Sequence, residues 1–387
     1  MKRHDSINNN YYSINIKNSY NDGKMNNNYN RINIQKSYND DNDNDDNYYN
    51  DYCFYDNSRV GGIKNEKNNC YLNSGLQILA SCEELVNYIN NSRFNRYNIV
   101  ERLKEAFNRL LKGEQHDPSH FMEDFVSQNR DFMIVNQCDS QNFIRTLIRN
   151  INDICIGEKR ENCFQIDNYF PSDYEREEYN KFLEDNKIFP ESKIMSLFSG
   201  ISKSYSFGEC PRCGNRIQNY LFNYFIDQIL YLDKFNKDCH FLDVLKNNLG
   251  KYNTLTIDCP KCAEEIEVKE KTTFVKLPEI LIFTLARYQG AKNNVKIIPD
   301  ELLDMKYFID DCLKVHETLY ELFAVNIRLD GNANLGHEIC QVKRNGLWYE
   351  INDTNVKRID SLSHFDCSYG LFYRKKKIQI KSFFYMI

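Results

Sequence analysis

No stretch of this 387-residue chain stays apolar for the roughly 18–20 residues that a bilayer crossing needs. No apolar segment follows a basic start, so a secretory signal is not expected, nor is a membrane partner. A large excess of one charge is also lacking. The formal net charge is only −5, which argues against nucleic acid as the main partner. Residues 1–58 are poor in aliphatic side chains and rich in Asn, Asp, Tyr and Ser instead. Such a segment buries too little surface to offset its ordering entropy, and a disordered low-complexity tail is expected.

What is present is apolar content of 41%, enough for a substantial core, and fourteen cysteines. Spread over a long chain with no signal, those cysteines point to a reducing, intracellular compartment, cytoplasmic or nuclear, and not to a disulfide scaffold. Order is expected from about Val60-Gly61-Gly62. Leu72, Leu76 and Leu79 space a helix that starts at Cys70, and Val100, Leu103, Phe107, Leu110 and Leu111 a second over 99–111. Further helices are expected from Asp117-Pro118 and over 139–151. The second half turns to strand-like runs at 280–287, 322–327, 339–342, 348–351 and 369–373. The fold class is therefore α+β.

Three residues carry chemistry in the order Cys70, His337, Asn352. A thiol needs a neighbouring imidazole to act as thiolate, and the imidazole needs a third group to fix its tautomer. The start of a helix also favours thiolate over thiol at Cys70. Asn352 supplies a neutral acceptor and Asp353 a charged one. In an extended segment Asp353 points to the opposite side, so Asn352 is the expected orienter. A helical half with the nucleophile and a β half with the base describe a papain-like cysteine peptidase cleft.

A second pattern is Cys210-Pro211-Arg212-Cys213 and Cys259-Pro260-Lys261-Cys262. Each knuckle puts two thiolates on one turn, and two knuckles complete a structural zinc site of four cysteines with no open position. The 45 residues between them require a clamp on two distant hairpins. Cys239-His240 lies between the knuckles and competes less well as a ligand pair.

The stretch around Cys70 resembles the Cys box of the ubiquitin-specific proteases, Gly-Leu-x-Asn-x-Gly-Asn-Thr-Cys-Tyr-x-Asn-Ser-x-Leu-Gln. Gly62, Asn65, Asn68, Cys70, Tyr71, Asn73, Ser74, Leu76 and Gln77 match it. Gly336-His337 followed by Trp348 to Asp353 resembles the His box. Gln137-Cys138-Asp139 resembles the Gln-x-Asp helix, and Leu277-Pro278 to Arg287-Tyr288 the Leu-Pro strand. The resemblance covers about 60–375, in family order. It implies a hand-like fold with helical thumb, β-sheet palm and zinc-bearing fingers over 59–376, flanked by a short tail at 377–387.

By that resemblance Asn65 donates to the oxyanion, Asp353 supports the oxyanion side, and Asp139 binds the backbone of ubiquitin's tail. The implied activity is thiol-dependent hydrolysis of the bond after ubiquitin's C-terminal glycine. Ubiquitin and ubiquitinated proteins are the implied partners and a monomer the implied state. The chain departs from the pattern at Lys67 (family Gly), Asn69 (Thr), Asn142 (Glu), Arg328 (His) and Glu338 (aromatic). Lysine at a left-handed position costs about 1–2 kcal/mol, so strain is expected at Lys67 if that position has φ above zero. Glu338 is expected to raise the imidazole's pKa if it lies close to His337. These departures keep open a ubiquitin-binding pseudo-enzyme or a protease for another ubiquitin-like modifier.

Overall fold

The computed structural model describes residues 60–66, 68–92, 99–132, 139–155, 170, 172–186, 192–250, 252–289, 291–310, 317–329 and 336–376. The tails expected at 1–58 and 377–387 lie outside the described residues, as do Lys67, Gln137 and Cys138. Eight α-helices are described: α1 (Cys70–Ala80), α2 (Glu83–Asn91), α3 (Ile99–Leu111), α4 (Ser119–Gln128), α5 (Ser140–Cys155), α6 (Asp173–Asp185), α7 (Lys193–Phe198) and α8 (Phe241–Asn248). None of these is long and apolar enough to cross a membrane.

Helix α1 is the centre of the helical half. All eleven of its residues are buried, because α3 and α5 pack on it from one side and the large sheet from the other. Its polar residues are spent on that docking. Ser74 Oγ donates to the Ile339 carbonyl, and Gln77 Nε2 to the Gly61 carbonyl. Buried Arg344 returns bonds to the Gln77 carbonyl and to Ser81 Oγ. Each of these bonds avoids a desolvation penalty of about 1–3 kcal/mol for an orphaned group.

The large sheet runs in the order 355–359, 347–352, 337–344, 319–329, 368–375, 280–286, 227–231. Its pairs are antiparallel except the last, which is parallel. Asn345 and Gly346 both have positive φ and close the hairpin from 337–344 to 347–352. This is the two-residue turn whose twist suits paired strands. Helices α1–α5 and α7 cover one face of this sheet; α8 shares the core on the other. Fully buried Arg287 donates to the carbonyls of Asn293, Val295, Phe365 and Ser368, so one side chain pins two loops to the sheet.

A separate antiparallel sheet, in the order 216–225, 200–209, 265–276, 253–258, carries the two Cys-x-x-Cys turns at one end. Helix α6 lies across it. Lys203 Nζ sits 2.7 Å from Glu175 Oε1 of α6 and 2.6 Å from Asp310 Oδ2. The pattern of 99–111 gives α3 at those bounds, and the five expected strands all form, most of them longer than expected. The second sheet and α6 were not among the expected elements, although Leu255, Ile257, Ile266 and Val268 alternate with polar residues in two of its strands.

Gly62 lets the N-terminal segment pass against the hairpin turn at 353–354. A Cβ there would lie 2.6 Å from the Thr354 backbone. Gly62→Ala is expected to destabilise the fold by about 1–3 kcal/mol through overpacking, read as a lower midpoint in thermal denaturation.

Candidate active site

Cys70 is the first residue of α1 and is buried. His337 opens the strand 337–344, and Asn352 ends the neighbouring strand 347–352. Docking α1 on this sheet brings the three together. His337 Nε2 lies 2.7 Å from Asn352 Oδ1, which leaves Nδ1 to meet the thiol. The hydrogen bond to Cys70 is the main reason the imidazole's pKa rises to about 9; Asn352 and the charge of Asp353 add to it, against partial burial. The site therefore favours imidazolium at neutral pH.

Asp353 lies beside Asn65 and Asn73, and the backbone that puts it there is a turn and not an extended segment. It occupies a two-residue turn with φ of 52°, a conformation that Asp tolerates better than most residues. The turn swings its carboxylate back toward α1. Oδ2 accepts from Asn65 Nδ2 at 2.8 Å and Oδ1 from Asn73 Nδ2 at 2.7 Å. His337 takes Asn352 as its partner, and Asp353 belongs to the Asn65 side of the cleft. Among the described residues of the loop before Cys70, Asn68 has positive φ (54°); Lys67, where strain was expected, lies outside the described residues.

The expectation that Glu338 raises the pKa of His337 is corrected. Alternation along the strand turns Glu338 to the opposite face, where it is buried against α5. It accepts from Asn326 Nδ2 and the Ser140 amide at 3.3 Å, with Arg328 Nη1 at 4.0 Å. Burial, then the charge of Asp139, push this carboxyl up to about 7.

Asp139 sits at the start of α5 and caps it. Oδ1 accepts from the Gln141 and Asn142 amides at 2.6 and 3.2 Å. Its other oxygen accepts from Tyr369 Oη and lies 3.7 Å from Arg328 Nη1. Arg328 in turn lies over the rings of Tyr288 and Tyr369. Helix capping is thus visible for Asp139, and the carboxylate expected to take a substrate is engaged within the chain.

The four knuckle cysteines converge. Their sulfurs all lie within 4.8 Å of one another, with Cys210–Cys262 at 3.6 Å and Cys213–Cys259 at 3.7 Å. A tetrahedral zinc with Zn–S of about 2.3 Å separates its sulfurs by about 3.8 Å, so the four thiols fit the ion. The turns match: the Gly214 amide donates to the Cys210 carbonyl and the Ala263 amide to that of Cys259, both residues at positive φ. Backbone amides, that of Lys261 first, draw the Cys259 thiol down to about 6. These four thiols could hold a metal such as zinc. Cys239 and His240 sit apart, in a two-residue strand paired with Ile297–Ile298.

Sequence reading passed over the roles of Asn69, Asn73 and Arg287. Asn65, Asn69 and Asn73 recur every fourth residue, a spacing that could have flagged a shared face. Nothing local marks Arg287 as an anchor for four carbonyls.

A thiol at a helix start, facing an imidazole held by an amide across a helix–sheet cleft, is the arrangement of papain-like thiol hydrolases. The chain belongs to the ubiquitin carboxyl-terminal hydrolase family, whose model matches residues 61–373. Probable ubiquitin carboxyl-terminal hydrolase 4 of Schizosaccharomyces pombe is 26% identical over 369 residues, 84% of this chain and 60% of that protein. Human ubiquitin carboxyl-terminal hydrolase 2 is 25% identical, over 78% of this chain and 53% of its own length. The chain thus spans about half to three fifths of these two relatives. The fold is also that of the SAGA Ubp8/Sgf11/Sus1/Sgf73 DUB module bound to ubiquitin aldehyde (TM-score 0.61, 20% identity, 82% of this chain and 70% of that one).

The raised pKa of His337 has a measurable consequence. Its proton is held more tightly in the folded state than at the ordinary value of about 6.5. The stability this gives is complete below about pH 6.5 and is lost as pH climbs through about 9. NMR titration of the imidazole should give a midpoint near 9 in the wild type. Cys70→Ala removes the largest cause and should move the midpoint toward about 6.5.

Proposed function

We propose that the chain is an active deubiquitinase that hydrolyses the isopeptide or peptide bond after the C-terminal glycine of ubiquitin. The observation that carries this reading is the imidazole of His337 held between Cys70 and Asn352, in a chain of this family. All three positions hold competent side chains in contact, which weighs against a pseudo-enzyme. In this reading residues 59–376 form the catalytic domain. One chain supplies every group named, which supports action as a monomer.

The steps follow from the geometry. The Cys70 thiolate attacks the glycine carbonyl, and the electron pair moves onto oxygen. The Asn65 side chain and backbone amides at the start of α1 stabilise that oxyanion, a role in which losing one donor typically costs about 10²–10³ in rate. As the tetrahedral intermediate collapses, imidazolium His337 gives its proton to the departing amine. Neutral His337 then takes a proton from water as its oxygen attacks the thioester. The second tetrahedral intermediate collapses, the C–S bond breaks, ubiquitin leaves with a free C-terminal carboxylate, and the Cys70 thiolate beside imidazolium His337 is restored. Asn352 accepts from Nε2 throughout and keeps the ring aligned. Asp139, a quarter exposed, would meet ubiquitin's tail with the oxygen that also accepts from Tyr369.

Cys210, Cys213, Cys259 and Cys262 would hold one zinc ion, whose contribution is structural because four thiolates fill its coordination sphere. Without it the finger sheet has only a small apolar cluster at that end. Stripping the metal with a strong chelator under reducing conditions should release about one zinc per chain and lower the thermal midpoint.

The deciding experiment uses ubiquitin with a C-terminal thiol-trapping warhead. The wild type should form a covalent adduct and Cys70→Ala none. Asn65→Ala should lower kcat on a ubiquitin fluorogenic amide by about 10²–10³. Binding of ubiquitin without adduct would support a pseudo-enzyme, and adducts only with another modifier's warhead would reassign the substrate.

A further inference from the structure

Asn69 stands where the family pattern has threonine, and its side chain completes a ring of hydrogen bonds beside the nucleophile. The Asn69 backbone amide donates to Asn65 Oδ1 at 3.1 Å, and Asn65 Nδ2 donates to Asp353 Oδ2 at 2.8 Å. Asp353 Oδ1 accepts from Asn73 Nδ2 at 2.7 Å, and Asn73 Oδ1 accepts from Asn69 Nδ2 at 2.9 Å. Asn69 and Asn73 also both donate to the Lys64 carbonyl at 3.1 Å. The circuit leaves the Asn65 amide a single orientation, since its oxygen must face an N–H and its nitrogen a carboxylate. One Asn65 N–H closes the ring, and the other remains for a substrate oxygen.

Two further observations single out Asn69. It is the N-cap residue of α1, a place where Asn normally accepts from the helix's own amides, yet it makes no such bond. Its amide is committed to the loop instead. It is also only 2% exposed, so removing its side chain orphans Asn73 Oδ1 at a place that water does not readily reach, while the Lys64 carbonyl keeps Asn73 as its donor. A threonine hydroxyl has one O–H and could reach the Lys64 carbonyl or Asn73, but not both.

We propose that Asn69 is a positioning residue that holds the Asn65 amide toward the oxyanion through the ring Asn65–Asp353–Asn73–Asn69. This rests on the proposed function, in which Asn65 stabilises the oxyanion. Asn69 touches no reacting atom and acts only through Asn65. Its loss therefore affects the step that develops negative charge on oxygen, and leaves substrate capture and thiol nucleophilicity alone.

The test compares wild type, Asn69→Ala, Asn65→Ala and the double variant, as full chains, on a ubiquitin C-terminal aminocoumarin amide. Alkylation of Cys70 by iodoacetamide, which forms no oxyanion, is measured in parallel. Asn69→Ala should lower kcat by about 10–100-fold with KM and the alkylation rate unchanged. The double variant should be no slower than Asn65→Ala alone, because the two residues act as one unit. Asn69→Leu keeps the side chain's shape without adding charge and loses both N–H donors, so it gives the same comparison if alanine disrupts folding. An unchanged kcat, an equal fall in alkylation, a change confined to KM, or additive losses would each overturn the inference. A wild type that is alkylated but turns over no ubiquitin substrate removes the proposed function and this inference together. Wild-type turnover with full activity in Asn69→Ala removes the inference alone.

Discussion

The burial of α1 between the other helices and the large sheet is the interaction on which the rest of the site depends. The nucleophile and its base lie far apart in the chain, and only this docking closes the distance. A fully buried helix is fixed by close packing, so its first residue has little freedom to drift. The polar bonds from Ser74, Gln77, Arg344 and Asn326 set its rotation and height on the sheet. A helix held by apolar contacts alone could slide by a turn; one held by these bonds could not do so without orphaning buried groups.

Around that anchor the chemistry divides into two circuits. One runs from Cys70 to His337 to Asn352 and governs a proton. The other runs from Asn65 through Asp353 and Asn73 to Asn69 and governs the orientation of an amide. Asp353 serves the second circuit by contact and the first by charge alone. The adjacent residues Asn352 and Asp353 reach opposite sides of the cleft because the strand ends between them and the turn begins. A third polar group, Arg328 with Asp139, Glu338 and Tyr369, occupies the next stretch of the same strands. It accommodates two departures from the family pattern, Arg328 and Glu338, by pairing them with each other. Cross-strand neighbours of opposite charge are a favourable use of the pleat.

Much of the fold was legible in the sequence. The apolar stripe of α3 writes its period plainly, the central palm strands show as apolar runs because both faces of the sheet are covered, and the cysteine knuckles mark their turns by spacing. The finger sheet and α6 were not legible as elements. Leu255, Ile257, Ile266 and Val268 do alternate with polar residues at the cysteine end, but against α6 the contacts are mostly aromatic rings and one buried lysine held by two carboxylates, and such partners carry no period. The candidate site divides in the same way. Cys70, His337 and Asn352 were readable as residue types in order, and the structure brings them into contact. Glu338 was weighed as a neighbour of His337, yet alternation along the strand sets it on the opposite face. Asp139 was read for a substrate, yet its place at the start of α5 gives it the amides there to cap.

By itself the sequence determined the inventory: a thiol at a helix start, an imidazole and an amide in strands, and four thiolates in two tight turns. Local periodicity and spacing suffice for that, because helices, strands and Cys-x-x-Cys turns are specified over a few residues. Only the tertiary structure decided which groups meet. It seated Cys70 against His337 and Asn352 and closed the amide ring on Asn69. These outcomes depend on strand register and the seating of one helix, neither of which is encoded within a few residues.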